Sequence, residues 1–88
     1  MAGPEATEER AANKIAERRG WLCEKVQGYR NGWPDRLYVK AGRHVWVEWK
    51  RDGKPPTPQQ ALRHDEMREA GMEVHVWHNR RDALAVLR

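Results

Sequence analysis

Pro34-Asp35-Arg36-Leu37-Tyr38-Val39-Lys40-Ala41-Gly42-Arg43-His44-Val45-Trp46-Val47-Glu48-Trp49-Lys50 reads as two strands, 35–40 and 43–50, joined by a tight turn. Side chains alternate along a strand, so Glu48 and Lys50 leave one face with Trp46, and Val45, Val47 and Trp49 leave the other. With Ala41-Gly42 at the centre of an even-length hairpin loop, position 35 falls opposite position 48. Two carboxylates facing each other on one sheet face repel. Solvent can screen such a pair, or a cation can sit between them, and carboxylate oxygens with water are the ligand set of Mg²⁺. Taken alone, the three residues Asp35, Glu48 and Lys50 also fit an edge strand with a charged, solvated face.

The rest of the chain sets the frame for this hairpin. Its 88 residues make one small domain, 1–88, with residues 1–4 frayed. Charged residues are 34% of the chain and mean hydropathy is −1.06, which describes a wet surface. No apolar run reaches membrane-spanning length, and the first residues lack a signal-peptide core. Cys23 is the single cysteine, so an internal disulfide is excluded and a cytoplasmic location is expected. A net charge of +4 suits an anionic partner without demanding one.

Outward from the hairpin, Glu5 to Arg19 is helical, with Pro4 or Thr7 near its start, Gly20 as its stop and Ala12, Ile15 and Ala16 as an apolar stripe. Glu8 and Glu9 lie one turn before that stripe, where acidic charge is also favoured simply by the helix start. Trp21 to Val26 reads as a first strand and residues 28–32 as a loop, with Pro34 holding Trp33 extended. Arg51 to Pro56 is a stiff basic loop. Thr57, Pro58 and Gln60 fit the N-cap, N1 and N3 positions of a second helix running to Ala70 before Gly71. Gln60, His64 and Met67 share one of its faces. Residues 72–77 form a fourth strand, and Asn79 caps a last helix from Arg80 to Leu87. The order α-β-β-β-α-β-α, with a right-handed crossover between the third and fourth strands, gives an α/β fold with one central mixed four-stranded sheet flanked by helices. His75 and His78 point to opposite faces of a strand, which speaks against a shared zinc site. Trp49 and Trp77 are expected in the core.

Pro34-Asp35 followed by Glu48-x-Lys50 resembles the PD-(D/E)xK nuclease signature. Lys25-Val26, Gly32-x-Pro34-Asp35-Arg36, Val47-Glu48-x-Lys50, Thr57-x-x-Gln60, Met67 and Gly71-x-x-Val74-x-Val76 resemble, in order and spacing, the VRR-NUC (virus-type replication-repair nuclease) domain across about residues 9 to 87. The resemblance implies a restriction-endonuclease-like core. It implies Asp35 and Glu48 as metal-binding carboxylates, the Trp49 carbonyl as a further ligand, and Lys50 as the catalytic lysine. It also implies an acidic residue on the first helix, for which Glu9 fits best with Glu8 as fallback, and a glutamine matched by Gln60. Gln60 is equally explained by its capping box. Lys50 is open between base and electrostatic stabiliser.

The activity implied is Mg²⁺-dependent endonucleolytic hydrolysis of DNA, with Mn²⁺ able to substitute. Branched DNA of Holliday-junction or flap type in phage or bacterial replication and repair is the implied substrate. A homodimer is the implied assembly, with no membrane and no small-molecule cofactor involved. Arg30, Arg36, Arg51 and Lys54 flank the motif where phosphates can reach them, and Trp33 is the exposed candidate for stacking on an unpaired base. The alternatives are a noncatalytic DNA-binding module and a protein-interaction module of the same fold.

Overall fold

The computed structural model describes residues 3–26 and 30–88, so the loop reading at residues 28 and 29 lies outside the described residues. Helix α1 runs Pro4–Arg18, β1 Leu22–Lys25, β2 Arg36–Lys40, β3 Arg43–Trp49, α2 Pro58–Glu69, β4 Glu73–Trp77 and α3 Arg80–Val86. The expected element order is the observed one. The first helix begins earlier than expected, because Pro4 takes the N1 position behind Gly3 as N-cap. Trp21 is not in β1; it is buried just before the strand, with its indole Nε1 donating to the Arg88 carbonyl at 3.1 Å.

The sheet order is β1-β2-β3-β4, antiparallel except for the parallel β3–β4 pair. Ala41 and Gly42 have φ of 50° and 82°, the two left-handed residues of a two-residue hairpin loop whose twist matches the strands. Lys40 therefore pairs with Arg43 and Arg36 with Val47, and one further step places position 35 opposite 48. The hairpin register is the expected one.

Two layers cover the sheet. On one face Tyr38, Val45, Val47, Trp49 and Trp77 form the core with Ala12 and Ala16 of α1 and Ala83 and Leu87 at α3. Small alanines on α1 let the helix approach closely, and Trp49 and Trp77 meet edge to face at 5.6 Å. Tyr38 donates its hydroxyl to Asn13 and accepts from the Trp49 indole at 3.1 Å, so the polar atoms of these two aromatic side chains are paired. On the other face α2 packs over β4, burying His64, Met67 and Val74.

Candidate active site

The catalytic-type residues gather where β2 begins and β3 ends. Pro34 is buried and sets the approach to β2, leaving Asp35 at its mouth. Val26 N–H donates to the Asp35 carbonyl at 2.9 Å and Lys50 N–H to the Trp77 carbonyl at 2.9 Å, so the ladders run one residue past each strand and fix both main chains. The Asp35 carboxylate takes a long bond, 3.4 Å, from the Trp49 N–H. Glu48 is 6% exposed, and Lys50 Nζ lies 3.9 Å from its Oε2.

Those surroundings disfavour charge on both carboxyls. Burial, followed by the nearby Glu9 carboxylate, pushes Asp35 up to about 6. Burial and then Asp35 push Glu48 up to about 7, against the lowering pull of Lys50 and of a hydrogen bond from Gln60. Carboxyls raised in this way by burial and by a neighbouring acid are a recurrent property of functional sites.

Gln60 completes the capping box that its position suggests. Its Oε1 accepts from the Thr57 N–H at 2.9 Å, while its own N–H donates to Thr57 Oγ1 at 3.2 Å, completing the capping box. The amide NH₂ remains to donate to Glu48, whose pKa its hydrogen bond lowers. One side chain thus ties the start of α2 to the buried carboxylate. Gly32 sets the height of α2 over the sheet. Its φ is +82°, and a Cβ there would stand 3.1 Å from both the Gln59 carbonyl oxygen and the Arg63 Cβ.

Of the two α1 acids, Glu9 lies beside Asp35 and Glu8 is turned to α3. Glu8 accepts from the Arg80 N–H at 2.9 Å and from its guanidinium, clasping α3. Glu9 shares a pocket of about 260 Å³ with Asp35 and is paired with Arg36. Arg36 was expected as a solvated phosphate contact. Strand alternation instead turns it to the α1 face, where Glu9 holds it at 22% side-chain exposure. Glu5, one turn before Glu9, was missed by the sequence reading. It lines a groove of about 440 Å³ with Lys50, Arg51 and Lys54, and its Oε2 is buried with no hydrogen-bond partner among the described residues. The signal was available: i, i+4 spacing puts Glu5 and Glu9 on one face.

Arg30, Arg51 and Lys54 are exposed, the last two on the wall of that groove. Trp33 is half-buried rather than exposed, and its ring meets Trp46 edge-on at 5.4 Å. His64 is buried one turn below Gln60. Burial first and Arg68 next lower its pKa, and its Nε2 has no hydrogen-bond partner among the described residues. His75 contacts Glu73, and His78 contacts the Lys54 carbonyl. Among the described residues no group of three or more His, Cys, Asp or Glu is gathered closely enough to hold a metal by side chains alone.

The mixed sheet carries paired acids and a lysine at one end, and comparison with solved structures supports a nuclease-type domain. A structure described as a VRR_NUC domain matches with a TM-score of 0.86 at 27% sequence identity, covering 98% of this chain and 96% of that one. The match supports a VRR-NUC domain, the family whose motif spacing the sequence carries. No family model matches the chain, and no curated protein matches it. No helix among the described residues is long and apolar enough to cross a membrane.

Proposed function

We propose that the chain is a metal-dependent endodeoxyribonuclease whose reacting phosphate sits against Asp35, Glu48 and Lys50. The observation that carries this reading is the pair of buried carboxyls whose pKa values are raised by burial and by neighbouring acids, with a lysine beside them. The donor set fits Mg²⁺, or Mn²⁺ in its place: hard oxygens from Asp35 and Glu48, the Trp49 carbonyl next to Glu48 in sequence, and water. Side chains alone fall short of a full ligand set, which suits an ion that keeps several waters. Bound there, the ion supplies Lewis-acid polarisation and a lowered pKa for an attacking water.

The chain's own groups do the positioning. Gln60 fixes the Glu48 carboxylate through the α2 cap, and the Trp49 N–H orients Asp35. Glu9, held by Arg36, faces the same pocket as Asp35 and acts on the bound waters. Lys50 makes only a loose contact with Glu48, which leaves its ammonium donors for the phosphate oxygens as negative charge builds in the transition state. Arg51 and Lys54 line the groove beside Lys50 and guide the strand. By its resemblance to stand-alone members of the family, the substrate is branched DNA of junction or flap type in phage or bacterial repair, cut by a homodimer.

Four-way-junction, flap and linear DNA, each incubated with Mg²⁺ or EDTA, test this. Mg²⁺-dependent cutting is expected, abolished by Lys50→Ala while circular dichroism and DNA binding persist. Cutting by Lys50→Ala at the wild-type rate overturns the assignment. Binding without cleavage by the wild type makes the chain a noncatalytic module.

A further inference from the structure

Lys25 on β1 stands directly opposite Arg36 on β2. Residues paired in this way project from the same face of the sheet, and like charges so placed weaken it. Arg36 is relieved by Glu9. Lys25 has no such relief: it is exposed, and its side chain makes no ion pair or hydrogen bond among the described residues. Arg10 of α1, also exposed, has none either, and it lines the same pocket of about 260 Å³. Asn13 lines it too. Its Oδ1 takes the Tyr38 hydroxyl, which leaves its amide NH₂ as a donor.

With Glu9 and Arg36 cancelling each other, the pocket presents two cations and an amide beside the Asp35 carboxylate, a net positive lining. An anion seated here would be held by charge-assisted hydrogen bonds and would lie next to whatever Asp35 holds. In a DNA strand the group that carries a negative charge beside every phosphate is the next phosphate. We infer that the pocket formed by Arg10, Asn13 and Lys25 seats a second phosphate of the substrate strand, neighbouring the one hydrolysed, and so fixes where along the strand the cut falls. The inference rests on the nuclease reading for its substrate, and a binding measurement without metal separates the two.

The test uses Lys25→Gln and Arg10→Gln, singly and together, their folding verified by circular dichroism. Substrates carry one neutral methylphosphonate at successive linkages around the cut, and matched strands end in a 5′-phosphate or a 5′-hydroxyl. The wild type is expected to lose kcat/KM at one flanking linkage, or on removal of the end phosphate if a strand end fills the pocket. The double variant is expected to show that loss on the unmodified strand and none further from the neutral linkage. In EDTA, its binding should follow a salt dependence shallower by about 0.7 to 0.9 in log–log slope, one phosphate contact fewer. Wild-type sensitivity and wild-type slope in the double variant overturn the inference. If no DNA is cut by the wild type, the nuclease reading fails, and the slope in EDTA still decides for or against the pocket.

Discussion

The two ends of β3 carry the same residue types in opposite electrostatic company. At its start, Arg43 grips both carboxylate oxygens of Glu73 at 2.9 and 2.7 Å, and His75 adds a contact at 2.8 Å. The Arg43 hydrogen bonds, with burial opposing and His75 assisting, hold Glu73 down to about 2. At its end, Glu48 has Asp35 and Glu9 as neighbours and Lys50 only at 3.9 Å, and it is pushed up to about 7. Both are glutamates on adjacent strands of one sheet. The first end is arranged for stability. The second keeps an unfavourable charge cluster that a bound cation would relieve, which is the local inconsistency expected of a functional site.

Substitutions at the two ends should therefore fail in different ways. Asp35→Asn should lower the cleavage rate by about 10²–10³-fold or more, the size of losing one preorganised electrostatic group, with an unchanged circular dichroism spectrum. A rate within a few-fold of wild type would place the reacting centre elsewhere. Gln60 divides the two kinds of effect within one residue. Gln60→Ala should cost about 1 kcal/mol in urea unfolding through the lost capping box, and activity as well. Gln60→Glu keeps the capping acceptor and adds a third charge beside Glu48, so its activity should fall with less loss of stability. The smallest effect belongs to the satisfied end. Glu73 is about one-third exposed, so Glu73→Gln should cost less than about 1 kcal/mol and leave cleavage untouched. Its folded pKa lies below the unfolded value, so that contribution is present above about pH 4.5 and is lost as pH falls towards 2.

The features legible in sequence were those set by local periodicity. Alternation and the Ala41-Gly42 turn gave the 35–48 register, and Thr57-Pro58-x-Gln60 gave the cap. The site residues misplaced were those fixed by packing between distant elements. Glu5, Glu8 and Glu9 all lie in the first turns of α1, and only the close seating of Ala12 and Ala16 decides which carboxylates reach the sheet end. The ion pair of Arg36 with Glu9 was not foreseen, although alternation alone puts Arg36 on the face of Tyr38 and Val45. Trp33 packs on Trp46 in a loop that Gly32 fits against α2, a contact between residues far apart in the chain that no local pattern announces. Gln60 looked like a choice between two roles because a side-chain amide has two ends, and the fold uses both.

The central claim is that Asp35 and Glu48 are held apart from their own stability by a site built for a cation. Both titrate higher in the fold than unfolded. Between about pH 4.5 and 7 the folded chain therefore holds protons that the unfolded chain has shed, and its stability falls as pH rises through that window. The direct measurement is the thermal midpoint at pH 8 of wild type and Glu48→Gln, in EDTA and then in Mg²⁺. In EDTA the variant should be more stable by about 1–2 kcal/mol, since it removes a buried charge. Mg²⁺ should raise the wild type, by about 2.7 kcal/mol at a hundredfold excess over Kd, and leave the variant where it was. A variant less stable than wild type in EDTA, with neither protein responding to Mg²⁺, would contradict the account.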